Sequence, residues 1–130
     1  LIEQKYEATL EEIKNKYDYK FVRHEEEKVI LNLTSSKRII STGGSAVYSV
    51  KSMEHLKKFS KIIYINTPLE IIMERIDIGQ KRGLAVPEGM SIPEIYYERE
   101  SMYQKYCEII LDGSKTIDQL VDETIKQLHE

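Results

Sequence analysis

The sequence has one cysteine, Cys107, in 130 residues, together with no tryptophan and three prolines. A single thiol excludes an intrachain disulfide and a cysteine-rich zinc cluster, and it fits a reducing compartment, so a cytoplasmic protein is expected. His24, His55 and His129 are scattered, with no metal-ligand spacing. Long apolar runs are missing too. The longest is the four residues from Ile62 to Ile65, where a spanning helix needs about 20. Nor is there a surplus of one charge: 19 Lys and Arg face 22 Asp and Glu along the whole chain, for a net charge of −3. That balance argues against a nucleic-acid or membrane partner. No signal-peptide pattern opens the chain. It begins at Leu1-Ile2-Glu3 without an initiator Met, so Leu1 is not expected to be a natural start.

What is present is the composition of an ordinary globular domain, 41% hydrophobic and 32% charged, and the length allows one domain over residues 1–130. Helical spacing rules from Leu1 to Leu33. Ile2 and Tyr6 share a face, and so do Leu10, Ile13 and Tyr17. Thr9 with Glu12 three residues on reads as a capping box, so a break is expected near Ala8. A turn over Tyr17–Lys20 leads to a helix from Phe21 to Leu33 with Val22, Val29, Ile30 and Leu33 on its apolar stripe. Apolar runs around Ile39-Ile40, over Lys61–Asn66 and over Glu108–Leu111 read as three strands. Helices are expected over Ser52–Phe59, over Leu69–Ile76 with Thr67 at the N-cap and Pro68 at N1, over Ser91–Cys107 and over Ile117–Leu128. Alternating helices and nearly continuous apolar strands indicate an α/β fold with a parallel sheet.

Four features carry chemistry. The run from Lys37 to Tyr48 ends an apolar segment in Gly43-Gly44-Ser45, which is either a plain turn or a loop that brings backbone N–H groups close to a ligand. Glu26 lies on an apolar stripe, four residues after Val22 and four before Ile30, with Arg23 one turn earlier. The pair is either a surface ion pair or a carboxylate orienting an arginine at a pocket edge. Arg99 falls in the middle of the stripe formed by Ile92, Ile95, Tyr96, Met102, Tyr103 and Tyr106. It is either an internal ion pair or an anion-binding group. Residues 77–90 hold three of the six glycines, a proline and adjacent Lys81 and Arg82, the make-up of a lid. Together these describe a binder of a small anion, with phosphoryl transfer as a plausible chemistry.

The chain resembles the shikimate kinase family of P-loop small-molecule kinases over essentially all of its length. Arg23-x-x-Glu26 is similar to the family's substrate-binding arginine and its supporting glutamate, and Gly43-Gly44-Ser45 stands where the family has Gly-Gly-Gly. Glu98-Arg99-x-x-x-Tyr103 is similar to the motif whose arginine grips the acceptor carboxylate. Arg75 matches an arginine that stacks on adenine, and Arg82 the lid arginine that reaches the phosphates. The resemblance implies a three-layer α/β/α fold with strand order 2-3-1-4-5, helices over about 1–33 and Gly43, Gly44 and Ser45 binding the acceptor, and a lid over about 77–90. It also implies ATP-dependent phosphorylation of a hydroxyl of shikimate in aromatic amino-acid biosynthesis, with Mg²⁺, by a monomeric protein. Arg23 and Arg99 would hold the acceptor, Glu26 would support them, Arg75 and Arg82 would bind the nucleotide, and Arg82 would act in catalysis.

The chain departs from the family at Ser45, which replaces a third glycine, and at Gly83, which replaces a proline. Both leave room for another hydroxy acid or polyol, such as gluconate, as acceptor. No Gly-x-x-x-x-Gly-Lys-Ser/Thr occurs in the 130 residues, and the family's Asp-x-Asp is absent. The first two strands of the fold, the phosphate cradle and the Mg²⁺ ligands are thus expected upstream of Leu1. The 130 residues alone are expected to be inactive, or to form a non-catalytic carboxylate-binding module.

Overall fold

The computed structural model describes residues 1–76 and 87–129. Three helices open it: α1 (Ile2–Tyr6), α2 (Leu10–Lys16) and α3 (Tyr19–Leu31). α1 ends at Glu7 in the left-handed region, φ 51°, and α2 starts on a complete capping box. The Thr9 hydroxyl accepts the Glu12 N–H, and the Glu12 carboxylate accepts the Thr9 N–H. The break expected near Ala8 is therefore present. α3 starts two residues before the expected position because the Asp18 carboxylate accepts the Phe21 N–H and caps it. Ile13 and Val22 form a small apolar cluster with Ile2, Tyr6, Ala8, Leu10 and Phe21. Beside it the buried Glu25 carboxylate takes Lys5 of α1 and Lys28 of α3, each at 2.9 Å.

The strand expected around Ile39-Ile40 does not form. Residues 33–43 hold no regular element, and Ile39 is 96% exposed while Ile40 packs into the core. Among the described residues no neighbour completes a ladder for this segment, and a strand exists only in pairing. A 3₁₀ turn over Gly44–Tyr48 follows and leads through Ser49 into α4 (Val50–Lys57). The Ser49 hydroxyl accepts the Ser52 N–H and donates to Glu27 of α3.

β1 (Ile63–Asn66) and β2 (Ile109–Asp112) pair in parallel, with Ile63 opposite Ile109 and Asn66 opposite Asp112. Between them lie α5 (Leu69–Arg75) and α6 (Ile92–Tyr106), and α7 (Ile117–His129) closes the chain. The sheet among the described residues thus has two strands where three were expected. The N-cap of α5 also differs from expectation. Pro68 occupies it, its carbonyl accepting the first helical N–H from Ile72, and no side chain caps the helix. Thr67 instead stands against Gly113, at the turn that follows β2. α6 begins at a second capping box, Ser91 with Glu94. The main core joins Ile30 of α3, Ala46 and Val47 of the turn, Met53 and Leu56 of α4, and Tyr106 of α6. The α/β architecture and the parallel pairing hold; a three-layer sandwich is not formed by these residues alone. Of the proposed lid, residues 77–86 lie outside the described residues, and Pro87–Met90 form a turn with Gly89 at φ 82°.

Candidate functional site

The 3₁₀ turn brings Gly43 and Gly44 against side chains from α3 and α6. A Cβ on Gly43 would stand 2.6 Å from Glu26 Oε1. One on Gly44 would stand 2.6 Å from Arg99 Nη1 and 2.8 Å from Tyr103 Oη. A side chain at either position would have to push aside the polar tips of Glu26, or of Arg99 and Tyr103, that close over the turn. The Tyr103 hydroxyl also donates to the Gly44 carbonyl at 2.9 Å and fixes the turn from the α6 side. Ser45 is buried, and its hydroxyl donates to Glu26 Oε2. The extra hydroxyl at this position is therefore turned toward α3, where it holds the carboxylate.

Arg99 is 7% exposed, inside the packing between α6 and the turn. Among the described residues it makes no ion pair. Its Nε donates to the Tyr48 hydroxyl at 3.4 Å, and its Nη2 is buried with no hydrogen-bond partner. A buried guanidinium N–H without an acceptor is costly, and an incoming anion removes that cost. Arg23 lies on the same side, its guanidinium carbon 3.7 Å from the ring centre of Tyr48 and 4.9 Å from that of Tyr19. Glu26 sits within the field of both arginines. Burial pushes its carboxyl above the ordinary value, against the Ser45 hydrogen bond and the charges of Arg99 and Arg23, which favour the ionised form. Arg23 and Glu26 thus lie beside the glycine turn, Glu26 bonded to Ser45 and Arg23 against the Tyr48 ring.

Arg75, on the last turn of α5, donates from Nη1 to the Gly113 carbonyl at 2.9 Å, just beyond β2. It is thus held apart from Arg23 and Arg99. At the C-terminal ends of the strands a cavity of about 450 Å³ is lined by Asn66, Pro68, Tyr96, Glu100, Ile110, Leu111 and Asp112. In parallel sheets such crevices are where ligands bind. Arg82 lies outside the described residues. No group of three or more His, Cys, Asp or Glu among the described residues is disposed to hold a metal ion, so these residues do not fit a Mg²⁺ site. No helix among them is long and apolar enough to cross a membrane.

Tyr48 is the site residue that sequence spacing passed over. It ends the 3₁₀ turn, its hydroxyl donates to Glu98 at 2.5 Å, and both arginines approach it. The signal available was slight: a tyrosine four residues beyond Gly44, in a chain with nine tyrosines and two phenylalanines. Tyr103 was legible only as part of a motif, and its bond to the glycine turn is a product of packing.

Comparison with known proteins identifies the family. Residues 1–129 match the family described as shikimate kinase. A shikimate kinase of Clostridium botulinum (strain Eklund 17B / Type B) is 31% identical over 125 residues, which are 96% of this chain and 75% of that protein. One from Enterococcus faecalis is 25% identical over 119 residues, 88% of this chain and 71% of the relative. Threonine synthase-like 1 of Mus musculus is 30% identical over 105 residues, 75% of this chain but 14% of that protein. No solved structure is a significant match. With the family matched from the first residue to the last but one, and a buried arginine set against a glycine turn, the chain belongs to the shikimate kinase family.

Proposed function

We propose that this chain forms the acceptor-binding side of an ATP-dependent kinase that phosphorylates a hydroxyl of shikimate, a step of aromatic amino-acid biosynthesis. The observation that carries the proposal is Arg99: a guanidinium buried beside Gly44, with one N–H pair left without a partner. Such a group suits a carboxylate, the charged group of shikimate. Arg23 supplies a second positive charge, and Glu26, held by Ser45, keeps the two cations from repelling each other without screening. Gly43 and Gly44 would bring the turn close to the acceptor's hydroxylated ring.

Arg75, at the far end of β2, would serve the nucleotide. Arg82 would neutralise charge developing on the transferred phosphoryl group. The nucleotide's phosphate cradle and the metal ligands are assigned to sequence outside these 130 residues, in line with relatives of which the chain spans 71% and 75%.

The test is ADP release by the full-length protein with shikimate, quinate and gluconate as acceptors. Shikimate is expected to be turned over best. Turnover on gluconate without shikimate would move the assignment to a polyol or sugar-acid kinase, and binding without turnover on any acceptor would leave a carboxylate-binding module. Two variants test the roles. Arg99→Ala is expected to weaken shikimate binding by about 2–5 kcal/mol, read by calorimetry. Arg82→Ala is expected to lower kcat by about 10²-fold or more with shikimate binding little changed.

A further inference from the structure

The two arginines of the site come from different helices, and one side chain touches both. Tyr48 ends a turn that is fixed at each side. Tyr103 holds the Gly44 carbonyl, and Ser49 ties the chain to Glu27 while capping α4. Its half-buried ring therefore has little freedom. Arg23 lies over that ring, with its guanidinium carbon 3.7 Å from the centre, a cation–π distance. Arg99 meets the other part of the same side chain, its Nε donating to the hydroxyl at 3.4 Å and its guanidinium carbon 5.4 Å from the ring centre. The hydroxyl hydrogen is spent on Glu98, the residue next to Arg99 on α6, so the oxygen's lone pairs are left to accept from Arg99. Nη1 of Arg99 stands over Gly44, and Nη2 remains as the buried donor without a partner.

We propose that Tyr48 is a positioning residue that holds Arg23 through its ring and Arg99 through its hydroxyl, and thereby sets the affinity of the site for the acceptor's carboxylate. The inference rests on the carboxylate-acceptor reading above. With Nε taken by Tyr48, the guanidinium of Arg99 presents its Nη2 end to a ligand, and the ring keeps the second cation beside it. Burial and the donated bond to Glu98 both push the Tyr48 hydroxyl up from its ordinary value, so it remains protonated wherever the kinase would work.

The test uses the full-length protein and two variants. Tyr48→Phe removes the oxygen and keeps the ring; Tyr48→Leu removes both. Shikimate and its uncharged methyl ester are compared, as substrates or as competitive inhibitors, with ATP varied separately. Tyr48→Phe is expected to raise KM for shikimate roughly tenfold, as about 1.4 kcal/mol does. Tyr48→Leu is expected to raise it further. In both variants kcat and KM for ATP stay within about twofold of wild type, and the constant for the ester does not move, as expected if uniform binding of the charged group alone is lost. An equal rise for the ester, an unchanged KM for shikimate in Tyr48→Phe, or a parallel loss for ATP would overturn the proposal and leave the kinase reading standing. If the wild-type protein fails to turn over shikimate, the kinase reading falls, and Tyr48 is judged by titrating benzoate against benzamide at the Arg99 Nε–H signal in ¹⁵N NMR. A benzoate-specific shift that weakens in Tyr48→Phe upholds the positioning role; equal shifts in both proteins, or none, overturn it.

Discussion

Glu25 and Glu26 are neighbours on α3 and titrate in opposite directions. Lys5 and then Lys28 hold the Glu25 carboxyl down from 4.5 to about 2, while burial pushes Glu26 up from 4.5. For Glu25 the stabilisation is full above pH 4.5 and is lost as pH falls toward about 2. For Glu26 the folded state keeps its proton where the unfolded chain has released it, so stability falls as pH rises from 4.5 through the folded value. Glu25→Gln is expected to lower stability at pH 7 by about 1–3 kcal/mol and to flatten the acid side of the profile. Glu26→Gln, which removes the titrating group, is expected to flatten the fall in stability above pH 4.5. Urea midpoints measured between about pH 2 and 7 check both signs. At this scale the sequence was legible wherever a charged residue interrupted an apolar stripe, as Glu26 and Arg99 do. It was silent on Tyr48 and on the direction of the Ser45 hydroxyl. Those contacts join residues 19 to 51 positions apart, and no local spacing encodes them.

Among the elements, the 3₁₀ turn is defined by what cannot be added to it. A methyl group on Gly44 would collide with Arg99 and Tyr103 together. Gly44→Ala is therefore expected to displace the guanidinium, weaken shikimate binding at least tenfold, and lower stability by about 1–3 kcal/mol. Calorimetric titration and thermal unfolding separate the two effects. Helix starts were readable because their chemistry is short-range: Thr9 with Glu12 lies where the capping box demands. Thr67 shows the limit of that reasoning. Its sequence suits an N-cap, but packing against Gly113 uses the side chain elsewhere, and Pro68 takes the position. The segment around Ile39 shows another limit. Strand character depends on a partner, and among the described residues this segment has none.

Across the whole molecule, the parallel pairing of β1 with β2 was predictable from the alternation of apolar runs and helices. The amphipathic row of Ile117, Val121, Ile125 and Leu128 on α7 is exposed, as are Ile65 and Ile110 on the sheet. Spacing identifies such residues as apolar but does not reveal what covers them. Among the described residues the apolar interior holds two separate clusters. Ile13 and Val22 anchor one cluster, Ile30 and its partners the other, and α3 runs through both. On the timescale of amide hydrogen exchange, α1 and α2 should therefore open as a unit of their own. They would separate when the Lys5–Glu25 tie lets go, while the C-terminal half of α3, α4 and α6 stay closed. Exchange rates for α1 and α2 amides are expected to exceed those around Ile30 and Tyr106 by about tenfold or more, and Glu25→Gln should widen the gap. Uniform rates across both regions would mean one cooperative unit. A separately opening arm would give the protein a means of loosening one end of α3 while the helix's other end stays clamped beside the arginine pair.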